Sequence, residues 1–187
     1  MLEAGLDVAL VASDRPCRGL EVARDAGVEA LLVDRRDYGG FTSSFDRDAY
    51  SVALAEALSA KHIDLIAMAG FGTIVTGAFH RVFPGRVLNT HPSLLPEFKG
   101  WHAVKATLEA GVTESGCTVH VATEALDDGP ILAQRRVPVY PDDTEASLHE
   151  RIKSVERTLY PEVIARVMAS LARGEEPVSG VVAVEES

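Results

Sequence analysis

At 187 residues, 47% hydrophobic and 25% charged, the chain has the size and composition of one globular domain, able to bury roughly 70% of its unfolded surface. A net charge of −10 argues against nucleic acid as a main partner, since phosphate contacts need clustered Lys and Arg. No apolar run approaches the ~20 residues of a membrane span, and Met1-Leu2-Glu3-Ala4 has neither the basic start nor the apolar stretch of a signal peptide. A cytoplasmic protein without a membrane partner is expected, with Cys17 and Cys117, far apart in sequence, as free thiols.

Met1 to Gly5 reads as the end of a helix. Asp7 to Ser13 is a short apolar strand, Cys17 to Ala26 a helix stopped at Gly27, and Val28 to Val33 a second strand. Asp34 to Ser44 is a loop, and Phe45 to Lys61 is helical, with Tyr50, Ala53, Leu54 and Leu58 on one face. A third strand, Ile63 to Ala69, leaves through a Gly-rich exit to a short helix, Gly77 to Phe83. The strand Arg86 to His91 precedes a helix from Ala103 to Ala110, and strands follow near Cys117 to Ala122 and Ile131 to Val137. From Thr144 to Ala172 the apolar residues Leu148, Ile152, Val155, Leu159, Val163, Val167 and Leu171 recur every three or four positions. That spacing predicts an amphipathic helix, bent at Pro161. Gly174 to Ser187 reads as a tail or an edge strand. Alternating strands and helices predict an α/β fold, a mostly parallel twisted sheet with helices on both faces. The expected organisation is one catalytic domain over residues 1–173 and a tail over 174–187.

Several constellations could carry chemistry. Gly70-Phe71-Gly72 follows a strand, but Val75 stands where a dinucleotide turn needs its third glycine, so a strand exit near a ligand or neighbour is favoured. His91, His102, Cys117 and His120 match no zinc spacing, and solvated or core-satisfied side chains are the expectation. Nothing marks Cys117 as an activated thiolate, and Ser93 lacks the Gly-x-Ser-x-Gly elbow of a hydrolase nucleophile. Asn89 and His91 are different. Two apart on a strand, they present an amide and an imidazole on one face. Asp127 adds a carboxylate from the turn Asp127-Asp128-Gly129-Pro130. Each piece alone reads as a polar strand end or a plain turn. Together, at a strand's carboxyl end, they can stabilise an oxyanion and move a proton, as acyl transfer requires.

The segments Asn89-Thr90-His91-Pro92-Ser93-Leu94-Leu95-Pro96, Gly100, Gly116-Cys117-Thr118-Val119-His120 and Leu126-Asp127-Asp128-Gly129-Pro130-Ile131-Leu132-Ala133-Gln134 resemble the folate-dependent phosphoribosylglycinamide formyltransferases of purine synthesis. The resemblance runs from about Val8 to Arg173 and takes in Ser13-Asp14 and Ala23-Arg24-Asp25-Ala26-Gly27. Pro92 after His91 favours this family over formyltetrahydrofolate hydrolases, which tend to carry His-His there. The lack of a second domain disfavours the methionyl-tRNA formyltransferases.

The resemblance implies a Rossmann-like formyltransferase fold with Asn89, His91 and Asp127 as catalytic residues and no metal. It implies 10-formyltetrahydrofolate as co-substrate, bound by Arg47, Thr73, Ile74, Val75, Ala122, Thr123, Glu124, Ala125 and Leu126. Gly70, Pro92, Lys153 and Glu156 are expected at the ribonucleotide. Lys153 and Glu156 lie three apart on one helix face, where an ion pair is the plain alternative. The implied protein handles small molecules as a monomer or homodimer. The implied reaction is formyl transfer to the amine of glycinamide ribonucleotide. The alternatives are hydrolysis of 10-formyltetrahydrofolate and a catalytically silent folate- or nucleotide-binding module.

Two departures stand out. Family members often carry Met-Arg where Gly72-Thr73 stands. The family's opening strand and Gly-rich phosphate loop have no counterpart, so a first strand–loop–helix unit is expected to be missing, and with it the backbone cradle for the substrate phosphate.

Overall fold

The computed structural model describes residues 1–177, which form two compact units. One comprises Met1–Asp64 and Gly70–Pro84, the other Leu65–Ala69 and the chain from Gly85 onward.

In the first unit, β1 (Leu10–Ser13) and β2 (Glu29–Leu32) are parallel and joined by α1 (Arg18–Asp25). Leu20 and Ala23 are the buried face of α1. The helix ends as predicted, where Gly27 takes a φ of +73° that glycine adopts without a Cβ penalty. Met1 to Gly5 forms turns closed by Ala4 N–H to the Met1 carbonyl and Gly5 N–H to the Leu2 carbonyl, not the last turn of a helix. The stretch read as a loop after β2 contains a short 3-10 turn, Arg35–Tyr38, capped by Asp34. Helix α2 (Arg47–Ser59) starts at Asp46, whose carboxylate accepts the Ala49 N–H. Its buried Tyr50, Leu54 and Leu58 follow the helical period, and it packs on α3 (Gly77–Val82).

The second unit is a four-stranded sheet in the order β3 (Ile66–Ala67), β4 (Val87–His91), β5 (Glu114–Val121), β6 (Ile131–Pro138). The α/β expectation is borne out. The sheet itself is mixed, because β3–β4 is parallel while β4–β5 and β5–β6 are antiparallel. A short connection returns β6 directly alongside β5, which only an antiparallel pair allows. Ser115 to Val121 are all buried, making β5 the covered centre of the sheet.

Helix α4 (Ala103–Ala110) packs on α5 (Glu145–Ala172), and α5 lies along β4, β5 and β6. The Thr144 hydroxyl accepts the Ser147 N–H at the start of α5, a cap that satisfies an otherwise orphaned donor. Arg151 adds hydrogen bonds to Asp143 and the Pro138 carbonyl, and its guanidinium holds the Asp143 carboxyl below the usual carboxylate range. Leu148, Ile152, Leu159, Val163 and Val167 are buried as the periodicity predicts. The helix runs continuously through Pro161. Within the apolar interface the Tyr160 hydroxyl donates to the Leu88 carbonyl at 2.9 Å, pinning α5 to β4. Of the predicted tail, residues 178–187 lie outside the described residues.

Gly116 is fixed by close approach. A Cβ there would stand 2.4 Å from the Arg135 carbonyl oxygen and 2.6 Å from Leu94 Cδ2. Gly116→Ala should therefore destabilise the fold by about 1–3 kcal/mol, read as a lower urea midpoint. Gly19→Ala, where the added Cβ meets only Cys17 Sγ at 3.6 Å, should be neutral or stabilising by up to about 1 kcal/mol. Equal effects at the two sites would refute this account of Gly116.

Candidate active site

Strand pairing builds the site. Asn89 and His91 share one face at the end of β4, and the antiparallel register sets Asn89 opposite His120 and His91 opposite Thr118. Thr118 then fixes the loop leaving β4. Its hydroxyl donates to the Ser93 carbonyl at 2.6 Å and accepts the Leu95 N–H at 3.0 Å. Gln134 on β6 donates to both the Leu95 carbonyl and Thr118 Oγ1, each at 2.9 Å. Ser93 Oγ is buried and donates to the Glu97 carbonyl at 2.6 Å, a hydroxyl in a structural role rather than a nucleophilic one.

The chain then folds back over its own strand as a strap, Glu97 to Gly100. The Phe98 carbonyl accepts from His91 Nε2 at 2.8 Å, and the Gly100 N–H donates to Asp127 Oδ2 at 2.9 Å. Asp127 arrives from the turn after β5 with its backbone at φ +50°. Gly129 lets that turn lie against the strand, since a Cβ there would sit 1.8 Å from the Val121 carbonyl oxygen. Asp127 is 7% exposed. Its Oδ2 is 3.3 Å from His91 Nδ1, and its Oδ1 is 3.7 Å from His120 Nε2.

The two imidazoles differ in kind. Both ring nitrogens of His91 face groups that only accept, a carbonyl and a carboxylate, and only the doubly protonated ring donates to both. His120 is 1% exposed, and burial drives its pKa down, favouring the neutral ring. Its Nδ1 lies 3.1 Å from the Val121 carbonyl, which assigns the proton to Nδ1 and leaves a lone pair on Nε2. Asn89 Nδ2 stands 3.4 Å from that lone pair. One amide proton is thereby directed to His120, and the second is available to a ligand oxygen. A charged donor, an oriented amide and a buried carboxylate can together stabilise an oxyanion.

The structure thus brings Asn89, His91 and Asp127 together. It adds His120, which the sequence reading set aside as a core or solvated side chain, and the backbone groups of Phe98 and Gly100. The alternation on β5 held the signal for His120, but only the β4–β5 register reveals Asn89 as its neighbour. Cys117, also on β5, is buried, and burial pushes its thiol up to about 12, which leaves it unreactive. Among the described residues, no group of three or more His, Cys, Asp or Glu side chains could hold a metal ion, and no helix is long and apolar enough to cross a membrane.

The other expected binding residues are divided between the units. In the first, Arg47 is exposed at the start of α2 and Gly70 is exposed at φ +63°. Thr73 and Val75 are buried and Ile74 is half-buried. The Thr73 hydroxyl donates to Asp14 at 2.6 Å and accepts from Arg35 at 3.0 Å, so it is engaged within its own unit. In the second, Pro92 and Ala122 are half-buried, while Thr123, Glu124, Ala125 and Leu126 form an exposed segment beside Asp127. Lys153 is exposed and Glu156 half-buried on α5.

Comparison with known proteins points to one family. The family model described as formyl transferase matches residues 3–164. A phosphoribosylglycinamide formyltransferase of Mycobacterium tuberculosis is 44% identical over 167 residues, covering 89% of this chain and 74% of that protein. The trifunctional purine biosynthetic protein adenosine-3 of Drosophila melanogaster is 41% identical over 167 residues, 89% of this chain but only 12% of that longer protein. The crystal structure of phosphoribosylglycinamide formyltransferase from Streptococcus pneumoniae superposes with a TM-score of 0.80 at 34% identity, covering 89% of each chain. By sequence and by fold, the chain belongs to the formyl transferase family.

Proposed function

We propose that this protein transfers the formyl group of 10-formyltetrahydrofolate to the amine of glycinamide ribonucleotide, with Asn89, His91 and Asp127 as the catalytic groups. The observation that carries the reading is the buried His91–Asp127 pair beside an amide oriented by a neutral His120. The relatives' names support the choice of substrates.

In this reading the substrate amine attacks the formyl carbon, the new C–N bond forms, and the carbonyl oxygen takes up negative charge. The second Nδ2 proton of Asn89 donates to that oxygen, and the positive charge of the His91 imidazolium, its two N–H groups held by the Phe98 carbonyl and Asp127, stabilises it through space in a site of low dielectric. Asp127 stabilises the imidazolium and orders a water that carries the amine proton to the departing folate nitrogen as the old C–N bond breaks. The exposed Leu126 and its neighbours from Ala122 onward offer the folate apolar and backbone contacts next to Asp127. With its hydroxyl engaged by Asp14 and Arg35, Thr73 contributes through its backbone. In the second unit Pro92, Lys153 and Glu156 serve the ribonucleotide; in the first, Arg47 offers charge for a carboxylate and Gly70 an open backbone for a ligand.

The direct test is product analysis with both substrates: formylated ribonucleotide is expected, and formate released in its place would identify a hydrolase. His91→Ala and Asp127→Ala should each lower the transfer rate by about 10²-fold or more. The double variant should lose less than the product of the two, because the groups act as a unit. Near-wild-type rates in either single variant would remove these residues from the mechanism.

His120 yields a pH signature. Its folded pKa lies below the unfolded value of about 6.5. As pH falls below about 6.5, the unfolded chain binds a proton that the folded chain refuses, and stability is lost; above that pH the term vanishes. Between pH 6.5 and 5 the melting temperature should fall more steeply in wild type than in His120→Gln. Parallel curves would contradict the buried neutral assignment.

A further inference from the structure

The strap from Glu97 to Gly100 holds a shape that one of its residues, Phe98, does not favour. Phe98 sits at φ +51° and Gly100 at φ +90°, on either side of Lys99. A left-handed residue such as Phe98 costs on the order of 1 kcal/mol and persists only where surrounding contacts impose it. Three contacts do so. His91 Nε2 donates to the Phe98 carbonyl, Gly100 N–H donates to Asp127 Oδ2, and the Lys99 ammonium pairs with the Asp128 carboxylate. Two of these three groups are the candidate catalytic side chains themselves. The third partner, Asp128, directly follows Asp127, which is also held at positive φ. The strap and the Asp127 turn, 27 residues apart at the Gly100–Asp127 bond, therefore impose each other's conformation. Lys99–Asp128 is the outermost tie, with side chains 37% and 60% exposed.

We propose that Lys99 and Asp128 are positioning residues whose ion pair clamps the strap to the catalytic turn and so sets the orientation of the Asp127 carboxylate and the His91 ring during formyl transfer. This rests on the formyl transfer reading above. Neither side chain is needed to touch substrate. The pair acts through Gly100 N–H and the Phe98 carbonyl, which relax toward ordinary backbone geometry once the clamp opens. An exposed pair contributes modestly, so the expected effect is graded rather than absolute.

Lys99→Met and Asp128→Asn should each lower kcat by about 2- to 5-fold with KM for the folate changed less than about 2-fold. The Lys99→Met/Asp128→Asn double variant should be no worse than the poorer single. Lys99→Arg should retain activity, and the reversed pair Lys99→Asp/Asp128→Lys should recover most of the loss. Hydrogen exchange at the Gly100 amide, followed by NMR without substrate, should accelerate in both singles and slow again in the reversed pair. Unchanged or raised kcat in both singles, multiplicative losses in the double, or unaltered Gly100 exchange would each overturn the proposal. A wild-type protein without formyl transfer, whose Gly100 exchange nevertheless responds as described, would refute the assigned reaction and leave the clamp standing.

Discussion

The Asp127 side chain is 5% exposed, and much of the second unit is arranged around holding that charge out of water. An unpaired buried carboxylate is far too costly to persist. The chain answers with an imidazole at 3.3 Å and a backbone N–H at 2.9 Å. These partners come from the end of β4 and from the strap, and the carboxylate itself from the turn after β5. The carboxylate is thus the point at which three otherwise separate pieces of chain are made to agree. Geometry that serves a reaction and geometry that satisfies a buried charge are here the same geometry.

The two histidines show how environment separates identical side chains. His91 faces two acceptors and is suited to carry charge. His120 lies two positions beyond Thr118 on β5, opposite Asn89, is buried, has the Val121 carbonyl at its Nδ1, and is held neutral. The neutral ring matters because a protonated His120 would have no lone pair for the Asn89 amide, and the donor arrangement at the oxyanion position would be lost.

Much of this was legible in the sequence where local rules decide. The apolar period of α5, the stop at Gly27, the bounds of α4 and the shared face of Asn89 and His91 all follow from periodicity and turn chemistry within a few residues. What sequence could not carry was pairing. Nothing in Glu114 to Val121 says that the strand runs antiparallel to β4, and without that register His120 has no visible relation to Asn89. The strap was equally hidden. Gly100 takes its positive φ freely, but that of Phe98 is imposed by contacts with side chains distant in sequence, and Phe98 is no residue that local preference would put there. The division of the described strands between two sheets likewise depends on which edges meet.

Gly116 has a consequence for how the sheet finds its alignment. Strand β5 is buried on both faces from Ser115 to Val121, with no alternation of covered and exposed positions, so burial patterning discriminates poorly between one register and the next. At Gly116 the backbone of β6 and the Leu94 side chain leave no room for a Cβ. A slip by one residue would seat Ser115 or Cys117 in that space, and a slip by two would seat Glu114 or Thr118. Every such misalignment meets a steric wall, and only one alignment survives. Absence of a side chain at a single position thereby selects which residue of β5 stands opposite Asn89, and so determines that an imidazole, and not a valine or a threonine, backs the amide.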